Sequence, residues 1–181
     1  MALRIISGVF GSRKIDTPDT SRTHPMGDRI RGALFNKIAA ELPGATVLDA
    51  FAGSGALGIE SISRGAEKAV FIERDRTAQK VITKNIENFS IEDQTTLIRS
   101  SITTWLDSAE PQQFDIIFCD PPYNDTQFST VLKLMDLLKP GALMVLSQPG
   151  RSESPTKPGV VVVDNRSYGD AALTFYRRDE H

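Results

Sequence analysis

The chain has 181 residues, 40% of them hydrophobic and 24% charged, which suits one globular domain with a real core. Its single cysteine, Cys119, excludes an internal disulfide framework and a cysteine-based zinc site, and no apolar run approaches the ~18 residues that a membrane span needs. The net charge of −2 hides an asymmetry: residues 1–37 hold seven basic and three acidic side chains, the remainder 14 basic and 20 acidic.

A basic segment on an acidic body is the pattern of an arm that docks a polyanion. A solvated charged face is the plainer reading of the same residues. The start, Met1-Ala2-Leu3-Arg4, has no signal-peptide pattern, so the cytoplasm is expected.

Leu3–Ser7 and Arg13–Ile15 flank Gly8 and Gly11 and predict a short hairpin. Residues 16–24 are rich in turn formers and read as a mobile loop. Ile30, Ala33, Leu34 and Ile38 recur at helical spacing and predict a helix over Met26–Glu41, with Pro25 in its first turn and Pro43-Gly44 ending it. Strands and helices then alternate. A strand over Thr46–Ala50 leads to a helix over Ala56–Arg64, stopped by Gly65. A strand over Lys68–Glu73 leads to a helix over Asp75–Phe89, with Asp75 as its N-cap. A strand over Thr95–Arg99 precedes a short helix around Thr103–Ser108. The apolar strand Phe114–Cys119 leads to a helix over Gln127–Leu138, stopped by Lys139-Pro140-Gly141, and Ala142–Ser147 is the fifth strand of the series.

Such alternation predicts a parallel sheet covered on both faces. A Pro/Gly/Ser-rich stretch over residues 149–159 follows. Val160–Asp164 and Ala171–Tyr176, separated by residues 165–170, have no helix between them and must pair antiparallel. The fold expected is therefore α/β: a mostly parallel seven-stranded sheet with a C-terminal antiparallel hairpin. Residues 1–43 read as a basic N-terminal extension and residues 44–181 as the α/β body, effectively one domain.

Two motifs carry the chemistry. Gly53-Ser54-Gly55-Ala56-Leu57-Gly58 matches G-x-G-x-x-G between a strand and a helix, where glycines let backbone approach a nucleotide-like ligand. Glu73 ends the next strand, 20 residues after Gly53, where a carboxylate can accept ribose hydroxyls. Asp49 stands just before the glycine turn. It would repel the pyrophosphate of a dinucleotide, and it suits a ligand that carries an ammonium group, such as the methionine end of S-adenosylmethionine. Phe51 belongs to the same turn. Ser100 and Ser101 end the third strand, where they could touch adenine or merely cap a helix.

The second motif, Asp120-Pro121-Pro122-Tyr123, sits at the carboxyl end of the fourth strand, the sheet edge where ligands of open α/β folds bind. The prolines stiffen the turn, so the Asp120 carboxylate and the Pro121 carbonyl become two fixed acceptors for a planar –NH₂. Tyr123 offers a ring on which a base can stack. Accepting both N–H hydrogens favours the pyramidal, nucleophilic amine in the transition state. Asp120 also borders the donor pocket. Cys119 reads as a small buried strand residue and Trp105 as core. His24 and His181 are too isolated for a metal site, and none is expected.

Asp49–Gly58 together with Asp120–Tyr123 resembles the class I S-adenosylmethionine-dependent methyltransferases that modify exocyclic amines. More narrowly, Arg4-Ile5-Ile6-Ser7-Gly8, Asp28–Asn36, Phe51–Gly58 and Tyr168-Gly169-Asp170 make the chain similar to the bacterial family that methylates a guanine N2 amine in 16S ribosomal RNA. The resemblance implies a Rossmann-like fold and S-adenosylmethionine as donor. It also implies an assembling small subunit as substrate, bound by a monomer. It makes Arg4, Arg13, Lys14, Arg22, Arg29 and Arg31 candidate phosphate contacts, which position an RNA without reading its sequence. The chain has Ser147-Gln148 where the family has Glu, Ser101 where it has Asp or Asn, Gly32 where an acid is expected, and His24-Pro25-Met26-Gly27 in place of an Arg-Pro-Thr segment. The competing readings are a methyltransferase for an adenine or cytosine amine in RNA or DNA, a nicotinamide-dependent oxidoreductase, and a non-enzymatic RNA-binding factor.

Overall fold

The structure is a computed structural model that describes residues 3–18, 26–108, 110, 112–122, 128–150 and 153–180. Leu3–Arg4 (β1) pairs antiparallel with Lys14–Ile15 (β2), a shorter hairpin than the sequence suggests. The expected N-terminal helix is Asp28–Ile38 (α1), continued by a 3-10 turn over Ala39–Glu41. Thr46–Asp49 (β3), Ala56–Ser63 (α2), Lys68–Ile72 (β4), Arg76–Asn88 (α3), Thr95–Ile98 (β5), Ile102–Ser108 (α4) and Phe114–Cys119 (β6) follow within a residue or two of expectation. Asp75 caps α3 as predicted, its Oδ2 accepting from the Ala78 N–H at 2.9 Å. The loop expected at residues 16–24 lies outside the described residues from 19 onward, as do Pro25, His24, Gln127 and His181.

Phe128–Met135 (α5) is shorter than its predicted span, and Leu138–Pro149 (β7) is a single 12-residue strand. Leu138, expected at the helix end, pairs with Phe114 across the sheet, and both are fully buried. An irregularity in register follows, after which Leu143 pairs with Ile116. Lys139-Pro140-Gly141 thus falls inside a bulged strand and does not mark a helix stop. Val160–Tyr168 (β8) and Ala171–Arg178 (β9) also run further than predicted. Asn165, Arg166 and Ser167 pair with Thr174, Leu173 and Ala172, which leaves only Gly169-Asp170 as the turn. Their polar character reflects a solvent-facing edge strand, which looks like loop in sequence.

The seven-stranded sheet has the order β5-β4-β3-β6-β7-β9-β8, with β9 antiparallel to both of its neighbours. This is the Rossmann-like, class I methyltransferase arrangement that the sequence predicts. Alternate residues of each strand go to opposite cores. Val47, Phe71, Ile116 and Val145 face α1, α2, α3 and the hairpin; Leu48, Val70, Ile117 and Leu146 face α4 and α5. Burial on both faces is why the central strands read as unbroken apolar runs. Leu3, Ile5 and Ile15 of the N-terminal hairpin belong to the same cluster as Ile59, Phe71 and Phe118, so extension and body share one core.

Candidate active site

Three carboxylates converge on the carboxyl edge of the sheet. Asp49 ends β3, Glu73 follows β4, and Asp120 follows β6. Because β3 lies between β4 and β6, Asp49 sits in the middle of the three. Its side chain is buried, with Oδ2 accepting from the Gly58 N–H at 3.1 Å. Burial pushes its carboxyl well above the usual range, and the neighbouring Asp120 and Glu73 push it further, while the Gly58 bond pulls it down. A buried carboxylate among others fits a cationic ligand and opposes a pyrophosphate.

The glycine loop is built for close approach. Gly55 stands at the N-terminus of α2 with φ 84° and ψ 11°, a left-handed conformation that glycine adopts without strain. Gly58, one turn into the helix, lies flat on the Phe71 ring: a Cβ built there would meet Phe71 Cε1 at 2.3 Å. Gly58→Ala is expected to cost roughly 1–3 kcal/mol, since helix and strand must separate, and to weaken donor binding through Asp49. Urea denaturation and ligand titration of the variant check both.

Glu73 is half-buried and already at work in this loop. Its Oε1 accepts from the Gly53 N–H and its Oε2 from the Asp75 N–H, each at 2.8 Å. Burial raises its pKa, while the bonds from Asp75 and Gly53 pull it down. Each oxygen keeps a second lone pair, so the carboxylate can hold the loop and still accept from a ribose. Ser54 is buried and Phe51 half-buried beside it. Ser101 caps α4, its Oγ accepting from the Thr104 N–H at 3.2 Å. Ser100 donates to the Ser101 carbonyl at 2.9 Å.

Asp120 is pushed up to about 6 by burial, and a hydrogen bond with the Ser147 side chain acts in the opposite direction. Pro121 is buried behind it and Pro122 exposed; Tyr123 lies outside the described residues. Ser147 is the residue that stands where the related family has Glu, and sequence reasoning gave it no part in the site. Were Asp120 to accept amine hydrogens it would do so ionised, and activity should then rise with pH through its pKa. Ser147→Ala removes the one bond that lowers this pKa, and the acid limb of the pH–rate profile is expected to move upward. The same displacement has a folding sign. The stability Asp120 contributes is complete below the ordinary carboxylate pKa and is lost as pH rises through about 6. Cys119, the free cysteine, is buried with its thiol pushed up by burial and by Asp120, so it offers no nucleophile.

The candidate phosphate contacts divide. Arg4, Lys14 and Arg29 are exposed. Arg13 is exposed too, but its guanidinium lies 4.3 Å from the Phe89 ring centroid and donates to the Asn88 carbonyl at 2.8 Å. Arg22 lies outside the described residues. Arg31 departs from expectation. It is 0% exposed, its Nη2 donates to Asp28 Oδ1 at 2.8 Å and to the Arg4 carbonyl, and its Nε lies 3.9 Å from Glu60 Oε1. Its charge is spent inside the protein, and it leaves the phosphate-contacting set.

Two buried polar residues escaped sequence reasoning. Glu60 on α2 is 0% exposed and accepts from the Ile6 N–H at 2.8 Å, the Ser7 N–H at 3.1 Å and Arg64 Nε at 2.9 Å. Asn85 on α3 is also 0% exposed. Its Nδ2 donates to the Asp16 and Ser54 carbonyls, at 2.9 and 3.0 Å, and its Oδ1 accepts from the Asp16 N–H at 3.0 Å. These two side chains fasten the N-terminal extension to α2, α3 and the glycine loop. For Asn85 the signal was present: it is a polar residue on a helical face that also holds Ala78, Ile82 and Phe89.

The chain matches known proteins over almost its whole length. Residues 3–177 fit the family model described as conserved hypothetical protein 95. Ribosomal RNA small subunit methyltransferase D of Haemophilus influenzae is 34% identical, over 97% of this chain and 93% of its own. The Escherichia coli K12 protein of the same name is 30% identical, over 98% of this chain and 90% of its own. The solved structure of Escherichia coli yhhF has a TM-score of 0.89 at 30% identity, covering 100% of both chains. On family model, relatives and structure alike, the chain belongs to the family of conserved hypothetical protein 95, that of the small-subunit ribosomal RNA methyltransferases D.

Proposed function

We propose that this protein transfers a methyl group from S-adenosylmethionine to the exocyclic N2 amine of a guanine in 16S ribosomal RNA, within an assembling small subunit. The observation that carries the reading is the placement of Asp49 and Asp120 at the ends of adjacent strands on one edge, close enough for the Asp120 charge to push up the Asp49 carboxyl. A cation-seeking carboxylate and an amine-accepting carboxylate then share a single cleft. The family relationship supports ribosomal RNA as the substrate class, and the same reading has the protein act on it in the cytoplasm as a monomer.

The donor supplies an electrophilic methyl group on a sulfonium. Asp49 holds its ammonium, Glu73 its ribose hydroxyls and the Gly53–Gly58 backbone its body, with Phe51, Ser54 and Ser101 closing the pocket. Asp120 and the Pro121 carbonyl accept the two amine hydrogens, which turns the nitrogen lone pair out of the ring plane. Pro122 stiffens the turn and Tyr123 stacks on the base. Asp120 then receives the proton that the methylated nitrogen sheds, for which a pKa near 6 is well placed. Arg4, Arg13, Lys14, Arg22 and Arg29 position the RNA through its phosphates.

The test is incubation with labelled S-adenosylmethionine and small-subunit particles that lack their own modification, followed by nucleoside analysis. Label in N2-methylguanosine is the expected result. Label in an adenine or cytosine amine would keep the mechanism and overturn the guanine assignment.

A further inference from the structure

One charged surface has no part in the site described above. An open groove of about 460 Å³ runs between α3 and the end of β5 and is lined by Arg76, Lys80, Lys84 and Arg99, with Glu87 as its only carboxylate. Arg76, Lys80 and Lys84 are spaced i, i+4 and i+8, which sets them in a line along one face of α3, over about 12 Å. Arg76, Lys80 and Arg99 make no ion pair among the described residues, and Arg99 donates to the Thr83 hydroxyl at 3.3 Å. Lys84 bonds Asp16 of the N-terminal extension at 3.1 Å.

Position gives the groove its meaning. At one end, Lys84 and the Arg13–Asn88 contact join it to the basic extension. At the other, Arg76 opens α3 directly after Glu73 and Asp75, and Gln79 donates to the Glu73 carbonyl at 2.9 Å. Arg99 directly precedes Ser100 and Ser101. The cations therefore form a continuous track from the extension to the donor side of the cleft. On a chain of net charge −2, such a track adds to the basic N-terminal extension as a local attraction for polyanions.

We propose that this groove is a second RNA-binding surface that holds the phosphate backbone flanking the target nucleotide, an inference that rests on the RNA methyltransferase reading. Four cations along an open groove, of which Arg76 and Lys80 make no ion pair among the described residues, match phosphate oxygens and carry no base readout. The groove therefore contributes to substrate affinity and its salt dependence, and leaves the methyl-transfer step alone.

The test compares Arg76→Gln/Lys80→Gln with wild type in methyl transfer to small-subunit particles over a salt series, with Arg4→Gln/Lys14→Gln as the extension control. Donor binding, measured by calorimetry, should be unchanged in both. The groove variant should raise KM about tenfold with kcat unchanged, and should flatten the dependence of log KM on log salt by about 1 to 2. A groove variant that matches wild type in KM and salt slope, while the extension variant weakens both, overturns the groove and leaves the function standing. A wild type that methylates no RNA overturns the function, and the groove with it.

Discussion

Asp120→Ala is expected to lower kcat for methyl transfer at least 10²–10³-fold while leaving donor affinity within a few-fold of wild type. The nucleobase amine is a weak nucleophile because its lone pair is delocalised, and the acceptor carboxylate acts on it only as the transition state forms. Neighbouring groups offer no substitute: Cys119 is buried with its thiol pushed up, and Ser147 is placed to bond Asp120. Removing Asp120 also removes a charge that pushes up the Asp49 pKa. Asp49 is then more easily ionised, so binding of a cationic donor should hold or tighten. Single-turnover transfer and titration calorimetry on the same variant decide the matter. Loss of donor binding by tenfold or more would move Asp120 out of the acceptor role and into the donor pocket.

The second large effect concerns Glu60, far from the transferred methyl. Glu60→Ala is expected to destabilise the fold by about 3–5 kcal/mol, the cost of breaking a buried ion pair from one side. Its carboxylate is the shared partner of Arg64, at 2.9 Å, and of Arg31, whose Nε is 3.9 Å away and has no hydrogen-bond partner. Without it, two guanidinium groups face each other in the interior, and the Ile6 and Ser7 amides lose their acceptor. Set against a typical stability of 5–15 kcal/mol, such a loss is severe. Glu60→Gln, which keeps an acceptor for the amides, should lose less. Urea denaturation measures both, and a Glu60→Ala variant within 1 kcal/mol of wild type would sink the account.

Most of the frame could be read from the chain because the frame is local. Strand–helix alternation, the Asp75 cap and the glycine turn are each carried by a few consecutive residues. Misreadings arose where a distant partner decides the outcome. Leu138 continues the apolar spacing of α5, yet pairing with Phe114 draws it into β7. Arg31 looks like every other arginine of the extension, and only the fold brings Glu60 beneath it. Ser147 looks like a plain departure from a family pattern until β6 and β7 pair and set it beside Asp120. The acidic motifs could be found without structure because their chemistry needs particular residue types at strand ends. The residues that hold them in place could not, because many side chains can serve as supports.

The sheet order carries a consequence for how the chain reaches this state. β9 lies between β7 and β8 although it follows both in sequence. β8 has β9 as its sole neighbour in the sheet, and β9 joins it to β7 over the seven residue pairs from Leu143↔Arg177 to Pro149↔Ala171. Val161, Val162 and Val163 on β8 stay 41–52% exposed even in the finished fold. Before docking, that valine run is an unpaired, sticky ribbon. A chain cut short before β9 would keep that ribbon without the one strand that pairs with it, and is expected to aggregate where the full chain does not.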